Sequence, residues 1–393
     1  MSTSWLFADT AWLLNGTARM VLIIGLALLL DTLIGDPVFN WHPVRLIGRF
    51  AEAMEDYSRR LFGIVVTADA PEGLGSPRSA ESLAVPELVP GSPMFQGTKL
   101  DPGTVIAGAL AWTLTVGTSA SLALGASHLA KTIHPVFGLA IDVLIVWASV
   151  APADLANHAL RVERALERDQ QNQHGQQGTL RQDPVNGRAA VAMIVGRDVS
   201  VLDEAGVARA CIESVAESSV DGVGSPIFWA ALLGPWAALA YRCVNTMDSI
   251  FGHKNTRYYS FGLVAARADD IANWPAARLS SILACFAAPL AGGKSRQALS
   301  AFFRYRYSHA SPNAGHPEAA YAGAFGLRLG GPVRYPEGLV DKPWLNPGGR
   351  DACILDIPRA VTLMYAQTVV SAIAFLACRY ALVLLMTQLH AGS

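Results

Sequence analysis

Apolar residues in this chain fall into long runs, and polar residues into short dense clusters at the ends of those runs. From Pro102 to Ala130 there is no Asp, Glu, Lys or Arg, and Pro135 to Pro152 is apolar except for Asp142. Ala360 to Cys378 is uncharged, and beyond Arg379 the apolar run resumes from Tyr380 to Met386. A helix that crosses a bilayer needs about 20 predominantly apolar residues, because the hydrocarbon core offers backbone groups no water to bond. These runs predict three spans. The run Met20 to Leu30, closed by Asp31 and by Gly35-Asp36-Pro37, predicts a fourth over 18–36 whose C-terminal end is polar. Two further stretches are interrupted: Gly222 to Tyr241 by Gly234-Pro235, and Leu279 to Gly293 by Pro289. Each reads as a span or as a re-entrant hairpin buried among other helices. The pattern predicts an all-α, multi-pass integral membrane protein with four to six spans or re-entrant hairpins and large polar loops.

Composition removes the alternatives. Hydrophobic residues make up 52%, charged residues 16%, and mean hydropathy is +0.31. Soluble domains carry about 25% charged residues, so an ordinary soluble enzyme and a mainly disordered chain are both excluded. The formal net charge of −1 lacks the basic excess that nucleic acid demands, so no nucleic acid partner is expected and membrane lipid is. Five scattered cysteines, with no CxxC pair, fit a reducing compartment and argue against structural zinc. With spans at 18–36, 104–127, 136–153 and 361–386, 27 of the 30 Lys and Arg lie with loops 37–103 and 154–360. Arg19 and Lys131 lie on the other side, and Arg379 lies in a span. The positive-inside rule then predicts an inner (cytoplasmic) membrane protein whose active site faces the cytoplasm.

Two segments read as insertions: 68–103, rich in Pro, Gly and Ser, as a flexible linker, and 170–187, with six Gln and three Gly, as a solvated excursion. The remainder of 1–393 reads as a single membrane-embedded catalytic domain. The sequence leaves monomer and oligomer equally open.

Four clusters carry candidate chemistry. The first runs from Asp31 through Asp36 to His42, Arg45 and Arg49. An acid at the end of a membrane helix needs a partner or water, so this cluster is either a structural ion pair or a binding face. The second is Arg197-Asp198, then Asp203 as a helix N-cap, then Glu213 and Glu217 at i,i+4, with Asp221 near the helix end. Like charges on one face repel unless a divalent cation joins them, so Glu213, Glu217 and Asp221 are candidate Mg²⁺ ligands; a solvated acidic face is the plainer alternative. The third is Asn245, Asp248, His253, Lys254, Asn255 and Arg257, followed by Asp269-Asp270 and Asn273. Lys254 and Arg257 suit phosphate, and Asp248 suits a metal or a proton. The fourth is Ser311-Pro-Asn313-Ala-Gly-His-Pro-Glu318, stiffened by its two prolines. No GxxxxGK[ST], GxGxxG or HExxH motif occurs.

In order and in wording, these clusters resemble the adenosylcobinamide-phosphate synthase (CobD/CbiB) family of cobalamin biosynthesis. The segments that carry the resemblance are DTLIGDPVFNWHPVRLIGR, IVGRDVSVLDEAGVARACIESVAESSVDGVGSPIFW, VNTMDSIFGHKNTRYYSFG and SPNAGHPEAAYAGAFGLRLGGP. It covers nearly the whole chain, with Ser218 where the family usually has an amide, and with 68–103 and 170–187 outside the family pattern. The resemblance implies a membrane enzyme that joins a propionate carboxylate of adenosylcobyric acid to the amine of (R)-1-amino-2-propanol phosphate, using ATP. A carboxylate is a poor acyl donor, so its activation as an acyl phosphate, with Mg²⁺ and cations on the transferring group, is the expected route.

For that reaction the candidate catalytic residues are Asp248, His253, Lys254 and Glu318. Asp36, His42, Arg45, Arg197, Asn245, Asn255, Arg257, Asn273, Ser311 and Asn313 are the candidate substrate-binding residues. One site can draw on all four clusters only if they share a side, which favours four full spans with hairpins at 222–243 and 279–293. The rival readings are a corrinoid-binding membrane transporter, since broken helices and buried acids also build transport sites, and a non-catalytic membrane scaffold.

Overall fold

The computed structural model describes residues 4–35, 42–64, 99–174, 185–253, 256–335 and 338–391. Helix α1 (Ser4–Ile34) is followed by the amphipathic α2 (Pro43–Leu61), which buries Ile47, Ala51 and Glu55 along one stripe. Helices α3 (Pro102–Ile133), α4 (Pro135–Ser149) and α5 (Pro152–His174) each open on a proline, whose missing N–H is no loss at a helix start. The Asp101 side chain caps α3 by accepting the Thr104 N–H at 2.9 Å, and His134 Nδ1 caps α4 by accepting that of Val136.

The chain continues through α6 (Val185–Val191) and α7 (Glu204–Ser219), then a π-helical turn (Val220–Gly224) that runs into α8 (Ser225–Leu233). Helix α9 (Pro235–Phe251) returns antiparallel after Gly234, whose φ of 105° turns the chain in a conformation side chains disfavour. Helices α10 (Leu263–Ala287), α11 (Ser295–Tyr305) and α12 (Gly315–Phe325) follow. Two small antiparallel ribbons, β1 (Leu329–Gly330) with β4 (Trp344–Leu345) and β2 (Val333–Tyr335) with β3 (Gly338–Val340), precede α13 (Asp356–Ala391).

Among the described residues five stretches are long and apolar enough to cross a membrane: Gly16–Ile34, Pro102–Ile133, Pro135–Asn172, Leu263–Ala291 and Asp356–His390. This is an all-α multi-pass membrane protein. Its membrane core joins Met20, Ile23 and Ala27 of α1, Val146 of α4, Ile227 of α8 and Phe375 of α13. Helices α1 and α13 are antiparallel there: Tyr365 lies within electrostatic reach of Asp31, and the Arg379 guanidinium reaches Gly16. The buried Asp142 of α4 is matched by Arg19 at 3.0 Å and Lys131 at 3.1 Å, so both cations set apart by the charge count are drawn into the bundle.

Three expectations change. Residues 154–360 are not large polar loops. They fold into helices whose largest apolar cluster joins α5, α7, α12 and the start of α13. Residues 222–243 do form a helical hairpin, α8–α9, and neither helix is among the candidate spans. The stretch 279–293 is no hairpin: it is the end of α10 with a 3-10 turn at Ala288–Ala291. Each flank of α10 is tied to the start of another helix. The Asp101 N–H, at the start of α3, donates to Ser260 Oγ at 3.1 Å, and Arg359, at the start of α13, donates to the Gly292 carbonyl at 2.9 Å. Of the two expected insertions, 68–98 and 175–184 lie outside the described residues.

Candidate active site

The π turn carries Asp221 to the face where α9 and α10 meet. Asn273 of α10 donates to Asp221 through its amide nitrogen and accepts from Ser225 through its amide oxygen. Asn245 of α9 donates to Asp269 of α10 at 3.3 Å. Glu217, Asp248 and Asp269 are all within electrostatic reach of Asp221. Burial first, then Asp269 and Glu217, push the Asp221 carboxyl well above the ordinary carboxylate range. Neither Asp221 nor Asp269 has a Lys or Arg partner among the described residues. The result is a lattice of acids and amides, with the Arg242 guanidinium close to Gly222 at its edge.

One position along α10 the chemistry changes sign. Asp270 gives its backbone carbonyl to the Asn313 amide at 3.0 Å, and Arg278 donates to Asn313 Oδ1 at 3.2 Å. Arg278 stacks on Trp274 with 4.2 Å from its guanidinium carbon to the ring centroid. Ser311 Oγ accepts the N–H groups of Asn313 and Ala314, which sets the entry of α12. His309 Nδ1 accepts the Ser311 N–H at 3.0 Å, so its Nε2 carries the proton and faces Glu318 at 3.9 Å. Asp269 and Asp270, adjacent on one helix, thus join an acid lattice to a loop rich in cations.

The structure distributes the predicted residues unevenly. Glu217, Asp221, Asn245, Asp248 and Asn273 come together around α10, and Ser311, Asn313 and Glu318 lie along its next face. His253 follows directly on α9, half-buried.

Glu213 is a correction. It pairs with Arg197 and accepts the Gly330 N–H at 2.6 Å, so it ties α7 to the loop before it and to β1. Among the described residues no three His, Cys, Asp or Glu side chains converge on a metal position, so Glu213, Glu217 and Asp221 do not form a ligand trio. Arg197, expected to bind substrate, is the partner in that pair. Arg257 is committed likewise: it meets Glu55 of α2 at 3.0 Å, beside Arg59 at 2.8 Å from the same carboxylate, and latches α2 to the loop after α9. His42 is buried edge-on to Trp147, and Arg45 is exposed on α2. Asp36, Lys254 and Asn255 lie outside the described residues.

Sequence reasoning missed Ser225, Asp269 as a partner of Asn245, and the cations Arg278 and Arg306. The i,i+4 spacing of Asp269 and Asn273 was a usable signal; Ser225 offered none, because its partner lies 48 positions away. A cavity of about 220 Å³ between α8, α10 and α13 is lined by apolar side chains such as Phe228, Leu283 and Phe375, with Arg379 at its edge, and holds none of these residues.

A family model described as CobD/Cbib protein matches residues 24–364. The cobalamin biosynthesis protein CbiB of Salmonella choleraesuis is 36% identical over 360 residues, covering 92% of this chain and 98% of that protein. The cobalamin biosynthesis protein CobD of Klebsiella pneumoniae is 36% identical over 357 residues, 91% of this chain and 97% of its own. The protein of the same name from Citrobacter koseri is 37% identical over 359 residues, with the same coverage. No solved structure matches the chain.

Proposed function

Because the chain belongs to the CobD/Cbib family of cobalamin biosynthesis proteins, we propose that it is the amide synthase that forms adenosylcobinamide phosphate. The substrates are adenosylcobyric acid, (R)-1-amino-2-propanol phosphate and ATP. The observation that carries this reading is the contrast across α10, which sets a face with more acids than cations beside a loop held by arginine. An enzyme that activates a carboxylate with ATP and then admits a phosphorylated amine needs both.

In this reading a propionate oxygen attacks the γ-phosphorus and ADP leaves; the amine then attacks the acyl carbonyl and phosphate leaves. The amine must lose a proton as the C–N bond forms. Glu318, fixed beside His309, and Asp248, at the end of α9, are the groups proposed to take it. Mg²⁺ is commonly held by one or two carboxylates together with substrate phosphates. The Asp221 and Asp269 carboxylates, which have no cation partner of their own, fit that role with Glu217 nearby. Bound there, the ion would neutralise charge on the transferring phosphoryl group. We place the site on the cytoplasmic face of the inner membrane, where ATP is available.

The test is product analysis by mass spectrometry after purified protein is incubated with adenosylcobyric acid, ATP, Mg²⁺ and either the phosphorylated or the free amine. Amide product with the phosphorylated amine is expected. A corrinoid that binds and returns unchanged would overturn the enzyme reading in favour of transport or scaffolding.

A further inference from the structure

Arg278 and Arg306 stand within electrostatic reach of each other, and neither has a carboxylate partner among the described residues. Glu318, the acid on the neighbouring helix, faces His309 instead. The Arg306 guanidinium lies among the rings of Phe302, Phe303 and Tyr307 at 5.1, 4.8 and 4.7 Å from their centroids. Its Nη1 is buried without a hydrogen-bond partner. His316 is fully buried between Phe302 and Tyr307. The Pro312 carbonyl is near its ring, yet neither ring nitrogen makes a hydrogen bond of normal geometry. Arg278 donates to the Trp274 carbonyl at 2.8 Å and to the Pro312 carbonyl at 3.4 Å, and Arg306 is hydrogen-bonded with Tyr307, so both guanidiniums are held in place but their charge meets no carboxylate among the described residues. Buried donors left unmatched are uncommon in folded proteins, and two arginines without a counter-charge beside them point to an anion. The first turn of α12, an eleven-residue helix, starts at the same corner.

We propose that Arg278, Arg306 and His316 form a seat for the phosphate monoester of the small amine substrate, bound without a metal. This rests on the amide-synthase reading. The choice between the two phosphate sources follows from the neighbouring groups. Nucleotide phosphates arrive with a divalent cation and suit the acid lattice on the adjacent face of α10, whereas the groups left unpartnered at the seat are the nitrogens of Arg306 and His316. Burial, then Arg278 and Arg306, lower the His316 pKa to about 4, so the ring is neutral at pH 7 and keeps one N–H to donate. Asn313 holds Arg278 in place through its side-chain oxygen, and the indole of Trp274 supports it from one side.

Full-length protein reconstituted in nanodiscs tests this by steady-state kinetics with aminopropanol phosphate and ATP varied separately. Arg278→Gln and Arg306→Gln should each raise KM for the phosphorylated amine roughly tenfold to a hundredfold, with KM for ATP and for the corrinoid within about twofold. Arg306→Lys should recover part of the loss, and it carries the test if Arg306→Gln fails to fold. Inorganic phosphate should compete with the phosphorylated amine in the wild-type protein and lose that effect in the Gln variants. A rise in KM for ATP instead would reassign the seat to the nucleotide and overturn the proposal; unchanged KM values with no competition by phosphate would remove the seat altogether. If no amine yields an amide, the enzyme reading fails on its own. The seat is then judged by thermal unfolding in inorganic phosphate: protection lost in Arg306→Gln supports it, and protection absent from the wild type overturns it.

Discussion

The Asp31 carboxylate, near the end of α1, accepts the backbone N–H of Ala153 in the first turn of α5 at 2.9 Å, across 122 positions of sequence. Two residues earlier, the Ala151 N–H donates to the Gly222 carbonyl in the π turn at 3.2 Å. The first amides of a helix have no partner within it, and here a second helix and a π turn supply two. A buried acid and a buried helix start thereby satisfy each other. Asp31→Ala should lower stability by about 1–2 kcal/mol, the usual loss for a helix cap, and Asp31→Asn by less. Thermal unfolding in detergent measures both; unchanged melting in Asp31→Ala would show that the contact holds nothing.

Asp142 is a second acid whose role is structural. It is 1% exposed and holds two cations that are each partly exposed. Removing the acid strands two positive charges in the bundle, so Asp142→Ala should lose roughly 3 kcal/mol. Arg19→Ala should lose less, because Lys131 remains. A double-mutant cycle of Arg19 and Lys131 should show that the two substitute for each other.

Asp221 makes stability depend on pH with a defined sign. Its carboxyl is raised by burial and by Asp269 and Glu217 from the ordinary 3.8. Between that value and the raised one, the folded protein holds a proton that the unfolded chain releases, so stability falls as pH rises through the window. Asp221→Asn should flatten this fall. Added Mg²⁺ should raise the melting temperature more at pH 8 than at pH 5, and should do so only while Asp221 is present. Equal stabilisation in Asp221→Asn would place the ion elsewhere.

Glu213 and Glu217, one turn apart on α7, should separate in function. Glu213→Gln weakens the pair with Arg197, which is only 13% exposed, and should lower stability by about 1–3 kcal/mol with the Mg²⁺ requirement unchanged. Glu217→Gln should raise the Mg²⁺ concentration needed for half-maximal turnover. A shifted Mg²⁺ requirement in Glu213→Gln would return that residue to the metal site.

Sidedness is the test of the one-site reading, which requires both flanks of α10 on one face. Single cysteines at Ser200, Thr256 and Ser308, in a background without the five native ones, should all resist an impermeant thiol reagent in intact cells. All three should react once the membrane is opened. Labelling of Thr256 alone would mean that the start of α10 lies across the bilayer from Ser200.

The spans were readable because apolar runs of 20 residues have few meanings in a chain this poor in charge. Helix α10 was only half visible, since Arg267, Asp269 and Asp270 break its apolar pattern although Asn245 and Asn313 receive that polarity in the fold. Helix α12 shows no period because all eleven of its residues are buried. Within the site, Asp221, Asn245 and Asn273 stood out as polar residues hugging apolar segments. The tie of Arg257 to Glu55 was not legible because the two are 202 positions apart. Arg278, Arg306 and His316 sit among aromatic and small residues in three different elements, and only the packing of α10, α11 and α12 brings them together.

In the turn at Val220–Gly224 the Ser225 N–H reaches back five residues, to the Val220 carbonyl, where an α-helix reaches four. The turn behaves as a single residue added to an otherwise continuous helix, and each residue rotates the downstream helix by about 100°. Asp221 lies inside it, and Gly224 clears Ser280, whose Oγ would be 2.6 Å from any Cβ there. A lineage that lost the extra residue would swing the buried stripe of α8 toward lipid, and with it the carbonyls of Ala231 and Leu232 that receive Arg379. The acid at 221 and the bearing of the hairpin are therefore one heritable unit: a descendant keeps both or must rebuild both.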